Sequence, residues 1–202
     1  MNDNLNTGIW RKDYEAFYKS HLEQNKSVYD YDWCCEFIDK RINIPNDNSQ
    51  PTLVDVGCGD GIWSIALSRH YNVTGIDNSK QGIENANKLN NVYGTNVDFK
   101  IEDILKTQRT FEYAFCRGPE FFGGYAPDSD TFQLFKGAVE KLFTKSLFFI
   151  VYSLPPFGRY ASETKTSYYH DPDTLIKEFS SIGQCNATYE NKYIVLEVVK
   201  NK

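Results

Sequence analysis

The residues able to do chemistry gather first in Val54-Asp55-Val56-Gly57-Cys58-Gly59-Asp60-Gly61. Gly57, Gly59 and Gly61 alternate. That strips side chains from a tight turn and lets a ligand lie against bare backbone, where a following helix offers free N–H groups to negative charge. The spacing is GxGxG, and Ile62 stands where a dinucleotide-binding loop carries its last glycine. Asp77 comes about twenty residues after Gly57, in Gly75-Ile76-Asp77-Asn78-Ser79. A carboxylate there accepts both hydroxyls of a ribose and repels a 2′-phosphate. Glu102-Asp103-Ile104 closes a third run, where an acid accepts from an adenine amino group and Ile104 packs on the ring. The three together predict a nucleoside ligand. Singly each has a plainer meaning: a helix cap for Asp77, a solvated loop acid for Asp103.

A second group lies further along. Arg117, beside Gly118, is the sole basic residue between Arg109 and Lys136. It suits recognition of an anionic acceptor, a carboxylate or a phosphate, and equally suits a helix C-terminus or a pair with Glu120. Residues 153–170 form a long loop holding Arg159, Tyr160, Tyr168, Tyr169 and His170. Loops of that length in compact domains are functional or disordered. His170 has the ordinary pKa for a general base, against the reading of an exposed flank before the Asp171-Pro172 helix. Glu120 and Glu163 stand behind it as candidates. Cys58 and Cys116 fall in ligand-facing loops, with Cys116 expected near the cofactor. Neither has an activating neighbour in sequence, so small-residue packing is expected of both.

These loops need elements to hold them. Apolar runs at 53–56, 73–76, 97–101, 113–116 and 147–152 read as strands, and 184–189 and 193–199 as two closing strands. Helical spacing joins Ile62 to Leu67, Ile83 to Tyr93 behind a Ser79 cap, Phe132 to Leu142, and Leu175 to Phe179 with Gly183 ending that helix. Strand–helix alternation predicts an α/β fold: a Rossmann-like, seven-stranded, mostly parallel sheet with helices on both faces. Ligands then bind beyond the carboxyl ends of the strands. Ahead of this body, residues 1–50 read as a helical arm or lid with an Asn-rich linker at 44–51, and 51–202 as the ligand-binding domain. The arm carries one stripe of Trp10, Tyr14, Phe17, Tyr18 and Leu22 and another of Cys34, Phe37, Ile38 and Ile42, which serve either packing or closure over a ligand.

At this point the sequence resembles the class I S-adenosylmethionine-dependent methyltransferases. VDVGCGDG (54–61) looks like the family's first motif, GIDNS (75–79) its ribose-binding acid and IEDI (101–104) its adenine-contacting segment, in the family's order and spacing. The resemblance implies that Gly57, Cys58, Gly59 and Gly61 line the methionine moiety of S-adenosylmethionine, with S-adenosylhomocysteine as product. It implies Asp77 and Asn78 at the ribose and purine edge, Asp103 and Ile104 at the adenine, and Asp55 under the loop. The [N/D]-PP-[Y/F] motif resembling the signature of base and glutamine-amino methyltransferases is missing after the fourth strand. The expected activity is therefore methyl transfer to an O or N atom of a small molecule. Tyr14, Tyr18, Arg117, Phe121, Tyr160 and Tyr169 are the expected acceptor pocket, and His170 and Arg117 the expected catalytic pair. A non-catalytic domain binding the same nucleoside and an NAD-dependent enzyme are the alternatives.

Composition narrows the partners. The chain has 202 residues, 41% of them hydrophobic, and a formal net charge of −5. An excess of acid disfavours a nucleic-acid partner. The longest apolar run, 147–152, is too short to cross a membrane. Five cysteines without a CxxC, and three histidines far apart, form neither a disulfide framework nor a metal motif, so no metal and a reducing, cytoplasmic setting are expected. Aromatics reach 15%. Those in the arm and the two loops, with Phe122, Tyr125 and Tyr168 added, are expected to wall the pocket.

Overall fold

The structure is a computed structural model that describes residues 16, 18–20, 27, 29–45, 49–161 and 167–201. Its strands are β1 (Thr52–Val56), β2 (Asn72–Asp77), β3 (Asp98–Ile101), β4 (Phe111–Arg117), β5 (Phe143–Tyr152), β6 (Arg159–Tyr160), β7 (Tyr168–Tyr169), β8 (Gly183–Glu190) and β9 (Tyr193–Lys200). Its helices are α1 (Tyr31–Arg41), α2 (Ile62–Leu67), α3 (Lys80–Tyr93), α4 (Glu120–Gly123), α5 (Asp130–Glu140) and α6 (Pro172–Phe179), with a 3₁₀ turn at Ile104–Lys106. Seven strands make one sheet in the order β3-β2-β1-β4-β5-β9-β8, and β6-β7 make a separate ribbon. This is the expected Rossmann-like α/β architecture. The chain divides into two compact units: the described residues up to Gln50 with Gly57–Asp103, and Pro51–Val56 with Ile104–Lys202.

In the first unit β2 and β3 pair in parallel from Thr74↔Asp98 to Asp77↔Ile101. The α3 helix starts where expected, because the Ser79 hydroxyl accepts the Gly82 N–H at 2.9 Å. It stops at Gly94, whose φ of 64° a side chain resists. The α1 helix is capped by Asp30, which accepts from the Trp33 N–H at 2.9 Å. Its aromatic face meets Trp63 of α2: the Phe37 and Trp33 rings stand edge-on to Trp63 at 5.4 and 5.5 Å, and Tyr29 joins at 6.0 Å. Each such pair adds about 0.5–1.5 kcal/mol to the area it buries. Part of the aromatic excess is thus spent on fastening the arm's second helix within this unit.

In the second unit β1, β4 and β5 run parallel, and β9 and β8 run antiparallel. The strand order reverses between β1 and β4, the switch point of such a sheet. β5 begins at Phe143, four residues before the expected start, because its Thr144 and Lys145 are exposed at the sheet's rim and hide the strand from an apolar scan. The last helix ends at Phe179, and Gly183 opens β8 rather than closing the helix; a side chain there would run into the Val199 carbonyl. Asn191 and Lys192, with φ of 51° and 71°, form the two-residue hairpin turn between β8 and β9. The loop expected over 153–170 contains the ribbon, Arg159 pairing with Tyr169 and Tyr160 with Tyr168.

Candidate functional site

The glycine loop belongs to the first unit. Gly57, Gly59 and Gly61 all take positive φ, at 72°, 57° and 78°. The N–H groups of Gly57 and Cys58 both donate to the Ile76 carbonyl, at 2.9 and 3.1 Å, which binds the loop to the end of β2. Asp77 completes the tie: Oδ2 accepts from the Gly59 N–H at 2.9 Å and Oδ1 from the Ser79 N–H at 2.8 Å. One carboxylate thus fixes both the loop and the start of α3. The Glu102 N–H donates to the Asp77 carbonyl at 2.9 Å, which sets Asp103 directly after β3. Cβ atoms at Gly61 or Gly75 would strike the Phe99 ring, so those glycines also serve packing. Cys58 is buried, Asn78 exposed and Asp103 half-buried.

The arm reaches this loop within the same unit. A side chain at Gly59 would collide with the Tyr18 hydroxyl. The Asn85 amide of α3 donates to the Tyr18 carbonyl at 2.8 Å, and the Ser27 hydroxyl donates to Asp60 Oδ2 at 2.8 Å. Tyr18, expected in the acceptor pocket, therefore sits against the glycine loop itself. Sequence reasoning missed Asn85 and Ser27, since nothing local marks a partner so far along the chain. Tyr14, Trp10 and Glu163 lie outside the described residues, as does the Glu120 side chain.

In the second unit, Asp55 at the end of β1 is 2% exposed and Cys116 of β4 is fully buried. Burial pushes the Cys116 thiol well above its usual range, with the Asp55 charge adding to the effect, so it is a protonated packing residue and no nucleophile. Ile104 is buried at the head of the 3₁₀ turn. Arg117 ends β4 with Nη2 on the Tyr193 hydroxyl at 3.4 Å and its guanidinium 5.6 Å above the Tyr193 ring.

His170 corrects an expectation. Its sequence context suits an open base or an exposed flank, and it is 0% exposed. Its Nε2 lies 2.7 Å from the Phe122 carbonyl, an acceptor only, so Nε2 carries the proton. Nδ1 is buried without a hydrogen-bond partner. Burial holds the imidazole down at about 4, against an ordinary 6.5, although the Phe122 bond pulls the other way. A ring so enclosed, between Phe132 at 5.8 Å and Tyr168 at 5.0 Å, ties α4 to the ribbon's end and has no open path to a substrate proton. Phe122 is likewise core rather than pocket wall: it packs on Phe132 and Phe149, each at 4.9 Å. Phe121 stacks on Phe135 of α5 at 4.1 Å. Tyr160 and Tyr169 are half-buried in the ribbon. Among the described residues no cluster of three metal-ligating side chains occurs, and no helix is long and apolar enough to cross a membrane.

A parallel sheet reversing at β1/β4, with a glycine loop after β1 and an acid after β2, is the arrangement in which α/β folds receive nucleosides. Residues 53–142 match the family described as a methyltransferase domain, and the sheet has the Rossmann-like strand order. No curated protein matches it at a significant level of sequence similarity. Among solved structures, magnesium protoporphyrin IX methyltransferase from Synechocystis PCC 6803 with bound SAH is similar with a TM-score of 0.68 at 16% identity, over 96% of this chain and 98% of that one. The 1,6-didemethyltoxoflavin-N1-methyltransferase of Burkholderia thailandensis, with bound 1,6-didemethyltoxoflavin and S-adenosylhomocysteine, gives 0.68 at 14% identity over 96% and 88%. A DhpI–SAH complex gives 0.68 at 15% identity over 94% and 96%. At such identities the likeness is one of fold.

Proposed function

We propose that the chain moves a methyl group from S-adenosylmethionine to an O or N atom of a small-molecule acceptor by in-line displacement. The observation that carries the reading is the glycine loop: three positive-φ glycines held by Asp77 and the Ile76 carbonyl, at the head of a helix. That cradle fits the donor, since the positive φ at Gly57, Gly59 and Gly61 keeps the loop's backbone bare of side chains. Gly57, Cys58, Gly59 and Gly61 would hold the methionine moiety, Asp77 and Asn78 the ribose, and Asp103 and Ile104 the adenine. Asp55 and Cys116 would support the site from the ends of β1 and β4. When bound, the donor supplies a methyl group already activated by a sulfonium. The protein's own part is to fix, align and exclude water. Tyr18 is read as closing the loop. Arg117, Tyr160 and Tyr169 are read as acceptor residues, and Arg117 as an orienting cation rather than a base. The structural neighbours with small-molecule substrates support such an acceptor, and the net charge of −5 speaks against nucleic acid. Five free cysteines support a reducing, cytoplasmic setting.

Calorimetric titration tests the reading. S-adenosylhomocysteine binds and NAD does not, and Asp77→Ala weakens binding about 10- to 100-fold, the worth of hydrogen bonds to a charged group. Tight NAD binding without S-adenosylhomocysteine binding overturns it.

A further inference from the structure

Gly59 is clamped from two sides within the first unit. On one side stands α3: a Cβ at Gly82 would come within 2.9 Å of the Gly59 carbonyl oxygen, so the helix lies directly against the loop. On the other side stands the arm, with the Tyr18 hydroxyl where a side chain at Gly59 would begin. Asn85 joins the two. It lies one helical turn beyond Gly82, on the same face of α3, and its amide nitrogen donates to the Tyr18 carbonyl at 2.8 Å. A carbonyl only accepts, so the nitrogen of that amide, and not its oxygen, faces Tyr18. The next residue of the loop, Asp60, takes the Ser27 hydroxyl on Oδ2 at 2.8 Å.

Asn85 is a poor choice for stability. It is 2% exposed, on a helix face whose buried neighbours are Gly82, Ile83, Ala86 and Leu89. Its Oδ1 is buried without a hydrogen-bond partner. A buried acceptor left unpaired costs more than one neutral hydrogen bond returns, and an apolar side chain of similar shape avoids that cost. What Asn85 supplies, and a leucine could not, is a donor aimed at one backbone carbonyl. That bond fixes the Tyr18 backbone, and with it the hydroxyl against Gly59. The backbone of a glycine loop is the surface on which a ligand can lie closest, so whatever holds Tyr18 sets the width of the seat there.

We infer that Asn85 is a positioning residue of the donor site: through Tyr18 it sets the wall against which the amino-acid end of S-adenosylmethionine is held. This rests on the methyltransferase reading, which assigns the methionine moiety to Gly57, Cys58, Gly59 and Gly61, and it adds a residue that acts on the donor without touching it. The role is selective. The ribose is assigned to Asp77 and Asn78, so a loosened Tyr18 penalises a ligand for its amino-acid end and not for its nucleoside.

The test is calorimetry on the full chain with two probes: S-adenosylhomocysteine, and 5′-methylthioadenosine, which has the nucleoside and the sulfur but no amino-acid end. Asn85→Leu should weaken S-adenosylhomocysteine about three- to tenfold, the worth of one neutral hydrogen bond, and leave methylthioadenosine unchanged. Its midpoint in urea unfolding should hold or rise, since the unpaired acceptor is gone. Asn85→Ala, which removes the donor without adding bulk, should show the same split between the ligands. Tyr18→Ala, at a half-exposed position, should weaken S-adenosylhomocysteine at least as much. In that background Asn85→Leu should add nothing, because its effect passes through Tyr18. A residue serving only the fold would weaken both ligands alike. Equal weakening of the two ligands in the Asn85 variants, an unchanged S-adenosylhomocysteine affinity, or full additivity with Tyr18→Ala overturns the inference and leaves the methyltransferase reading standing. Failure of S-adenosylhomocysteine to bind the unaltered protein overturns both.

Discussion

Lowering the pH should destabilise the fold through His170, by an amount that can be worked out. Its imidazole titrates at about 4 in the folded protein and at 6.5 when free of the fold. A depressed folded pKa means that the unfolded chain binds the extra proton, so stability falls as pH falls. Above 6.5 both states are neutral and the residue contributes no pH dependence. Between 6.5 and 4 the slope approaches about 1.4 kcal/mol per pH unit, and below 4 the loss levels off near 3 kcal/mol. Going from pH 7.5 to pH 5 therefore removes about 2 kcal/mol, or roughly 4–8 °C of Tm for a chain of this size. The assay is urea unfolding at both pH values for the wild type and for His170→Gln, whose amide can still donate to the Phe122 carbonyl but does not titrate. The variant should lose about 2 kcal/mol less than the wild type over that interval, whatever its starting stability. Equal losses in the two proteins would refute the enclosed, neutral imidazole.

Three further outcomes follow from the packing. Gly59→Ala places a side chain at φ 57° and against the Tyr18 hydroxyl, and should cost about 1–2 kcal/mol for the backbone alone; in a Tyr18→Ala background the cost should shrink, and strict additivity in urea unfolding would disprove the contact. Gly183→Ala drives a Cβ into the Val199 carbonyl and should lower Tm far more than Gly137→Ala, where a Cβ meets open space and a helix gains propensity. Phe122→Ala removes a 0%-exposed ring and should cost about 3–5 kcal/mol in the same assay, where a surface pocket wall would cost under 1.

What the sequence disclosed was local. The glycine loop and the Ser79 and Asp171 caps depend on residues within a few positions of one another, and the structure holds each as expected, Asp171 accepting from the Thr174 N–H at 2.8 Å. Strand–helix alternation likewise carried the sheet. The aromatics were harder to read, because a ring's role depends on which face it takes and what crosses that face. Phe122 and Phe121 are neighbours in an expected pocket wall, yet one is core and the other is stacked on α5. His170 has an ordinary sequence context and an extraordinary burial, set by the ribbon and α4, neither of which has a periodic signal at two to four residues. The Arg117–Tyr193 contact went unnoticed because only the β5–β9 register brings Tyr193 to that edge.

That register has a further consequence for how the chain is made. β5 emerges with one edge paired to β4, and its other edge waits for β9. The ribbon, α6 and β8 are all synthesised before that partner exists. Until then a long, largely apolar strand offers its unpaired backbone to any other strand nearby. The tight Asn191-Lys192 turn shortens the wait, since β8 and β9 can close on each other as a preformed hairpin and dock as one piece. The interval before docking is when nascent chains are most exposed to one another and to chaperones.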